Sequence, residues 1–190
     1  MVDARPTVGD FASFDGRSFA ATGLGGDRSM FVVEVAARRR LEVEARPIDA
    51  EDLRGLGRDW KFDWTRRVRK AEVFKLIAPE SPETVLGLVA LVRRTDHVEV
   101  ALLESRPDSV GDGKRFDGIA GCLLASAVRL SLRLGFDGCL ALDAKTRLIK
   151  TFERDYGFSR LGQSQRMILE PLAAAALVAR HERRPDHEEG

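Results

Sequence analysis

The residues best suited to chemistry form one short run, Lys114-Arg115-Phe116-Asp117-Gly118-Ile119-Ala120-Gly121. Its glycines let the backbone approach a ligand with no side chain in between. The apolar residues that follow at helical spacing put the run at the start of a helix. The first N–H groups of a helix have no intrahelical partner, and together with the helix dipole they favour an anion. Lys114 and Arg115 add positive charge. The run therefore predicts a phosphate or pyrophosphate contact, with a plain glycine turn into a core helix as the structural alternative. It is not a P-loop, because no Gly-Lys-Ser/Thr follows, and its glycine spacing does not fit a dinucleotide fingerprint.

Other chemistry-bearing residue types are sparse. Cys122 and Cys139 fall in apolar elements and read as buried free thiols, too few for a disulfide framework or a zinc site. His97, His181 and His187 lack metal-ligand spacing, so no metal is expected. Trp60 and Trp64, four residues apart, would share a face if helical, and read as core or as the wall of an acceptor pocket. Beside them Arg66, Arg67, Arg69 and Lys70 form a basic cluster, which reads first as a solvated face.

The elements that must position this run follow from the pattern. Met30 to Ala36 is β-rich. Leu41, Val43 and Ala45 alternate with Glu42, Glu44 and Arg46, which is a half-exposed strand joined to the first through Arg38-Arg39-Arg40. Asp49 can cap a short helix, with Asp52 three residues on. Strands are expected over 72–78, 85–92 and 97–103. The second is apolar throughout, as a strand covered on both faces should be. In the third, Val98, Val100 and Leu102 should share one side. Ile119 to Leu134 is the clearest helix, with Arg129 and Arg133 off its apolar face and Gly135 ending it. A short strand over 139–144 and a helix over 146–156 come next, the helix ended by Gly157. A last strand over 165–170 leads to a terminal helix opened by Pro171. A helix between the strands at 97–103 and 139–144 implies a crossover and a parallel pairing there. The fold class expected is α/β: a single-domain mixed sheet flanked by helices over 30–183, with an irregular arm over 1–29 and a disordered tail over 184–190.

Bulk composition narrows the function classes. The chain has 190 residues, 44% hydrophobic and 32% charged, which is globular. Its net charge of +1 gives no electrostatic footprint for nucleic acid. No apolar run approaches the roughly 20 residues of a membrane helix, and the N-terminus lacks a signal-peptide pattern, so a cytoplasmic protein with no membrane contact is expected.

The run Arg115-Phe116-Asp117-Gly118-Ile119-Ala120 resembles the Gln/Arg-x-x-Gly-x-Gly/Ala pattern of the GNAT superfamily of acyl-CoA-dependent N-acyltransferases. The resemblance extends through Leu123-Leu124-Ala125, Gly135-Phe136, the strand from Cys139 to Ala144, and Phe152-Glu153-Arg154-Asp155-Tyr156-Gly157-Phe158. It covers about Val85 to Glu170. It implies a GNAT-like sheet and transfer of an acetyl group from acetyl-CoA, as co-substrate, to an amine. The acceptor is open: a small molecule, a protein amine or an aminoacyl-RNA. A non-catalytic module that binds acyl-CoA or a protein partner is the alternative, and a homodimer is compatible with either.

Carried over by position, the resemblance implies that Leu103 to Ser105 offer strand amides to the pantetheine arm. Arg115, Phe116, Asp117, Gly118, Ile119 and Ala120 would hold the pyrophosphate. Glu104 and Glu99 become candidate general bases, and Tyr156, the one tyrosine in the chain, the candidate acid for the departing thiolate. Four features depart from the family pattern, one being that the helix ending over 152–158 runs one residue longer than the family's common form. The loop between Pro107 and Arg115 is long, Phe152 lies near the usual tyrosine position, and Lys145-Thr146 replaces a common asparagine, which makes Lys145 a candidate cofactor contact.

Overall fold

The alternation of Leu41, Val43 and Ala45 with charged neighbours buries one face of a strand, and those three side chains are indeed buried. This strand, β2 (Arg39–Pro47), pairs antiparallel with β1 (Met30–Glu34). The computed structural model describes residues 29–182. The arm expected over 1–29, all but Ser29, and the tail over 184–190 lie outside the described residues. The turn between β1 and β2 runs over 35–38, with Arg38 at φ +50°, so Arg39 and Arg40 belong to the strand and not to the turn.

Three antiparallel strands continue the sheet: β3 (Glu72–Ile77), β4 (Gly87–Arg93) and β5 (Val98–Ser105). A two-residue strand, β6 (Phe116–Asp117), pairs with β1 at the far edge. On the other side β7 (Leu140–Asp143) lies parallel to β5, as the crossover argument requires. β9 (Arg166–Leu169) and β8 (Ser159–Arg160) complete the sheet. The order is β6-β1-β2-β3-β4-β5-β7-β9-β8, one mixed sheet of nine strands.

Among the described residues five α-helices flank it. α1 (Ala50–Gly55) is capped by the reciprocal pair Asp49 and Asp52, and α2 (Trp64–Arg67) is a single turn. α3 (Ile119–Arg133), α4 (Ile149–Tyr156) and α5 (Pro171–His181) follow the crossover. The main core joins Phe74, Leu76, Val89 and Leu91 of the sheet to Leu123, Leu124 and Leu130 of α3, with Ile149 of α4 and Leu177 of α5. A second core on the opposite face joins Val73, Leu88 and Ala90 to Trp64, with Trp60, Phe62 and Leu53 packed around it.

Three expectations are corrected here. Trp60 and Trp64 do not share a helix, since α2 begins only at Trp64. Nor does Leu102 lie with Val98 and Val100. Ala90 faces Leu102 while its neighbour Leu91 faces Val100, so Ala101 is an extra residue in β5. Such a bulge reverses the alternation beyond it. Leu103 consequently joins the main core and Leu102 the second one. Arg129 is also more deeply placed than its position off the apolar face implies. It is buried and ion-paired to Glu182, just beyond the end of α5.

Candidate active site

The bulge at Ala101 follows directly on the point where the pairing of β5 to β7 ends. β5 and β7 are paired only at Val98 with Leu140 and at Glu99 with Ala141. Beyond these pairs they diverge, and a cleft of about 680 Å³ lies between the C-terminal halves of the two strands, within the size range of small-molecule sites. One wall is Val100 to Ser105 of β5 and the other Leu142 to Lys145 after β7. The start of α3 closes one end.

That start is shaped by Gly118, which caps α3 in the left-handed region at φ +92°. The first intrahelical bond runs from Cys122 N–H to Gly118 O at 2.9 Å. The N–H groups of Ile119, Ala120 and Gly121 thus precede the helical ladder. Ile119 and Ala120 line the cleft. The Asp117 carboxylate occupies part of this polar corner: it accepts from Gly118 N–H at 2.9 Å and from Lys114 Nζ at 2.6 Å. The helix start is held against the sheet by a close approach at Gly87. A Cβ there would lie 2.5 Å from Ile119 Cγ2 and 2.9 Å from Leu123 Cδ1.

Glu104, beyond the bulge, accepts from Lys61 N–H at 2.6 Å through Oε1 and from the buried Trp64 Nε1 at 2.7 Å through Oε2. It ties the segment before α2 to the open edge of β5, which brings Asp59, Lys61 and Phe62 into the cleft wall. Tyr156 and Phe152 close the wall from α4, their rings 5.6 Å apart. Burial pushes the Tyr156 hydroxyl above its ordinary value, with Asp155, Asp117 and Cys122 adding to the effect. The phenol therefore stays protonated across the neutral range.

No family model matches the chain, and no curated protein sequence matches it. Solved structures do. AtaTR bound with acetyl-CoA matches with a TM-score of 0.50 and 15% identity, over 71% of this chain and 97% of that one. The KacTA–DNA complex gives 0.50 and 14%, over 73% and 99%. The fold is that of the GNAT acetyltransferases.

Of the residues picked out from the sequence, the GNAT fold gathers Leu103, Glu104, Ser105, Phe116, Asp117, Gly118, Ile119, Ala120, Lys145 and Tyr156 around this one cleft. Two stand apart from its lining. Arg115 stacks its guanidinium over the Phe116 ring at 5.1 Å and lies 3.9 Å from the Asp108 carboxylate. Glu99 sits in an ion-pair network. It takes both terminal nitrogens of Arg166 at 2.9 and 3.1 Å, and Arg94 Nε at 3.1 Å. Burial raises its pKa, but the two arginines outweigh burial and hold the carboxyl below its ordinary range. A carboxylate so paired is a poor proton acceptor.

Four charged cleft residues are not marked out by the sequence: Asp59, Lys61, Asp143 and Arg147. Asp143 and Arg147 could have been found from the rule that ligands meet the carboxyl ends of strands in α/β sheets. Asp59 and Lys61 could not, because they reach the site only through the long-range Glu104 tie. Cys122 is a buried thiol as expected, donating to Phe31 O at 3.4 Å, and burial pushes its pKa up to about 12. Cys139 is free but only half-buried. Among the described residues no group of three metal-ligating side chains occurs, and no helix is long and apolar enough to cross a membrane.

Proposed function

We propose that the protein transfers an acyl group, acetyl in the first instance, from acyl-CoA to an amine. The observation that carries this is the coincidence of three things in one cleft: a strand opened by a bulge, a helix N-terminus capped by Gly118, and a protonated tyrosine. AtaTR, whose fold the chain shares, is a protein bound with acetyl-CoA.

In this reading the amides of Ile119 and Ala120 receive the pyrophosphate, with Lys114, Lys145 and Arg147 supplying positive charge around it. The unpaired edge of β5 at Leu103 to Ser105 offers backbone groups to the extended arm of the cofactor. Glu104 fixes the wall opposite and is the one β5 carboxylate that lines the cleft, which makes it the candidate base. Tyr156 donates to the departing thiolate. The balance is simple: the ammonium of the acceptor gives up one proton and becomes a nucleophile. Its nitrogen forms the new N–C bond as the C–S bond breaks. The nitrogen then loses a second proton, and the thiolate gains one. Positioning and these few proton carriers supply the rate.

The test is calorimetric titration of acetyl-CoA, with CoA and ATP for comparison, on wild type and Gly118→Glu. A new carboxylate at the helix start should abolish acetyl-CoA and CoA binding. Unchanged binding in that variant would remove the proposed pyrophosphate site. Binding without release of CoA across a panel of amines would favour the non-catalytic alternative.

A further inference from the structure

A second cleft, of about 860 Å³, opens beside the first on the face of the sheet covered by α1 and α2. It lies between α1, Lys75 of β3, the 83–85 segment before β4, and the 106–108 turn after β5. Asp59 and Pro107 belong to the walls of both clefts, so the two meet at the open end of β5. A chain molecule lying along β5 in the first cleft leaves the second as the approach on the other face.

The charges of the second cleft are one-sided. Its two cations are each committed to a carboxylate of the same wall: Lys75 Nζ lies 2.5 Å from Asp52, with both side chains about nine-tenths buried, and Arg106 Nε lies 2.7 Å from Asp108. Asp49 caps α1, accepting from Glu51 N–H and Asp52 N–H at 2.8 Å each. Glu51, Asp59 and Glu83 remain, with no ion pair to any described residue. Half-buried Trp60 adds an aromatic surface to the same wall. The first cleft differs: Lys61, Lys114, Lys145 and Arg147 line it against four carboxylates, Asp59, Glu104, Asp117 and Asp143. The second cleft thus carries an excess of carboxylates, three of them without an ion pair to any described residue, while the first is balanced in formal charge. A concave wall of one sign concentrates the opposite charge.

We propose that the second cleft is the acceptor site, and that it takes a flexible amine carrying at least two positive charges. Asp59, at the junction, holds the ammonium that is to react. Glu51 and Glu83 hold the distal one, against Trp60, which a cation can approach face-on. This rests on the acyl-transfer reading of the first cleft, but its binding half can be measured without it.

The probes are 1,5-diaminopentane and pentylamine, equal in chain length and different in one charge. Binding to the full chain is measured by calorimetry at low and high salt, first alone and then with acetyl-CoA. The diamine should bind more tightly than the monoamine, with the advantage lost at high salt. The double variant Glu51→Gln/Glu83→Gln should weaken the diamine about three- to ten-fold while leaving pentylamine and acetyl-CoA unchanged. Both positions are exposed surface carboxylates, so the variant retains its core. Equal binding of the two amines, or a diamine affinity indifferent to the double variant, overturns the proposal. Loss of acetyl-CoA binding in wild type, with the diamine preference intact, would instead strike the reading of the first cleft alone.

Discussion

Gly87→Ala is the substitution that most directly questions how α3 is seated. β4 passes so close to α3 that a methyl group at Gly87 would sit 2.5 Å from Ile119 Cγ2, 2.9 Å from Leu123 Cδ1 and 3.1 Å from Glu104 O. Carbon atoms in contact need about 3.5–4.0 Å, so roughly 1 Å must be found on the helix side. Ile119 and Leu123 are both buried, which leaves little room for rearrangement. Over-packing of this kind costs about 1–3 kcal/mol, and relief of the strand glycine returns about 0.5–1 kcal/mol. The net expected is about 1–2 kcal/mol of destabilisation. For a domain of this size that lowers the melting temperature by roughly 2–8 °C. Because Ile119 is the first residue of α3, the displacement should also reach the amides at the helix start. Acetyl-CoA affinity should fall further in Gly87→Ala than in Val43→Ala, a core change away from the cleft. Denaturant unfolding gives the stability and calorimetry the affinity. A Gly87→Ala protein as stable as wild type, with unchanged affinity, would refute the close approach and with it the seating of α3.

Three further outcomes are expected. Asp117→Asn removes a carboxylate from the corner where phosphate is to bind, and should tighten acetyl-CoA about five-fold, the worth of roughly 1 kcal/mol between like charges at contact; calorimetry reads this directly. Glu104→Gln turns one donor toward another, so that Lys61 N–H or Trp64 Nε1 loses its acceptor. Unfolding followed by tryptophan fluorescence should show a loss of about 1–3 kcal/mol, and far less when Trp64 is already phenylalanine. His181 packs against Gly121, and burial, then Arg180, hold its pKa below the ordinary 6.5, with Asp117 opposing weakly. The folded protein therefore prefers the neutral ring, and the unfolded chain takes up the proton first as pH falls. Stability should be level above about pH 7 and decline below 6.5, by at most about 1.4 kcal/mol per pH unit from this group, and His181→Gln should flatten that decline in unfolding curves between pH 7 and 5.

Much of the architecture is legible in the chain because it rests on local pattern. The alternation at Leu41, Val43 and Ala45, the Asp49–Asp52 cap, and the glycine stops at Gly135 and Gly157 each specify an element without reference to the rest. The parallel pairing of β5 with β7 follows from the helix between them. The bulge at Ala101 has no such signal: apolar residues run from Val100 to Leu103, and either parity reads equally well. It was set by the partner strand, since Ala90 and Leu91 are buried on opposite faces and each needs its own opposite number. The same limit applies to the site. The residues of the 114–120 run are contiguous, so one motif reveals them together. Glu99 and Glu104 share a strand and look alike in sequence. Only the arginines around the one and the tryptophan beside the other tell them apart. The β1–β6 pairing, through Val33 with Asp117 and Glu34 with Phe116, joins segments more than 80 residues apart and leaves no mark on either.

The two residue pairs between β5 and β7 have a mechanical meaning. They are the one seam between a plate of six strands and a plate of three, and α3 lies along that seam like a spine, packed against β4, β5 and β7. A sheet hydrogen-bonded along its whole length resists folding about any strand. This one has a line along which the plates can tilt with few backbone bonds to strain. Because α3 packs on both plates, the bulk of its buried side chains, more than backbone pairing, governs how the two plates meet.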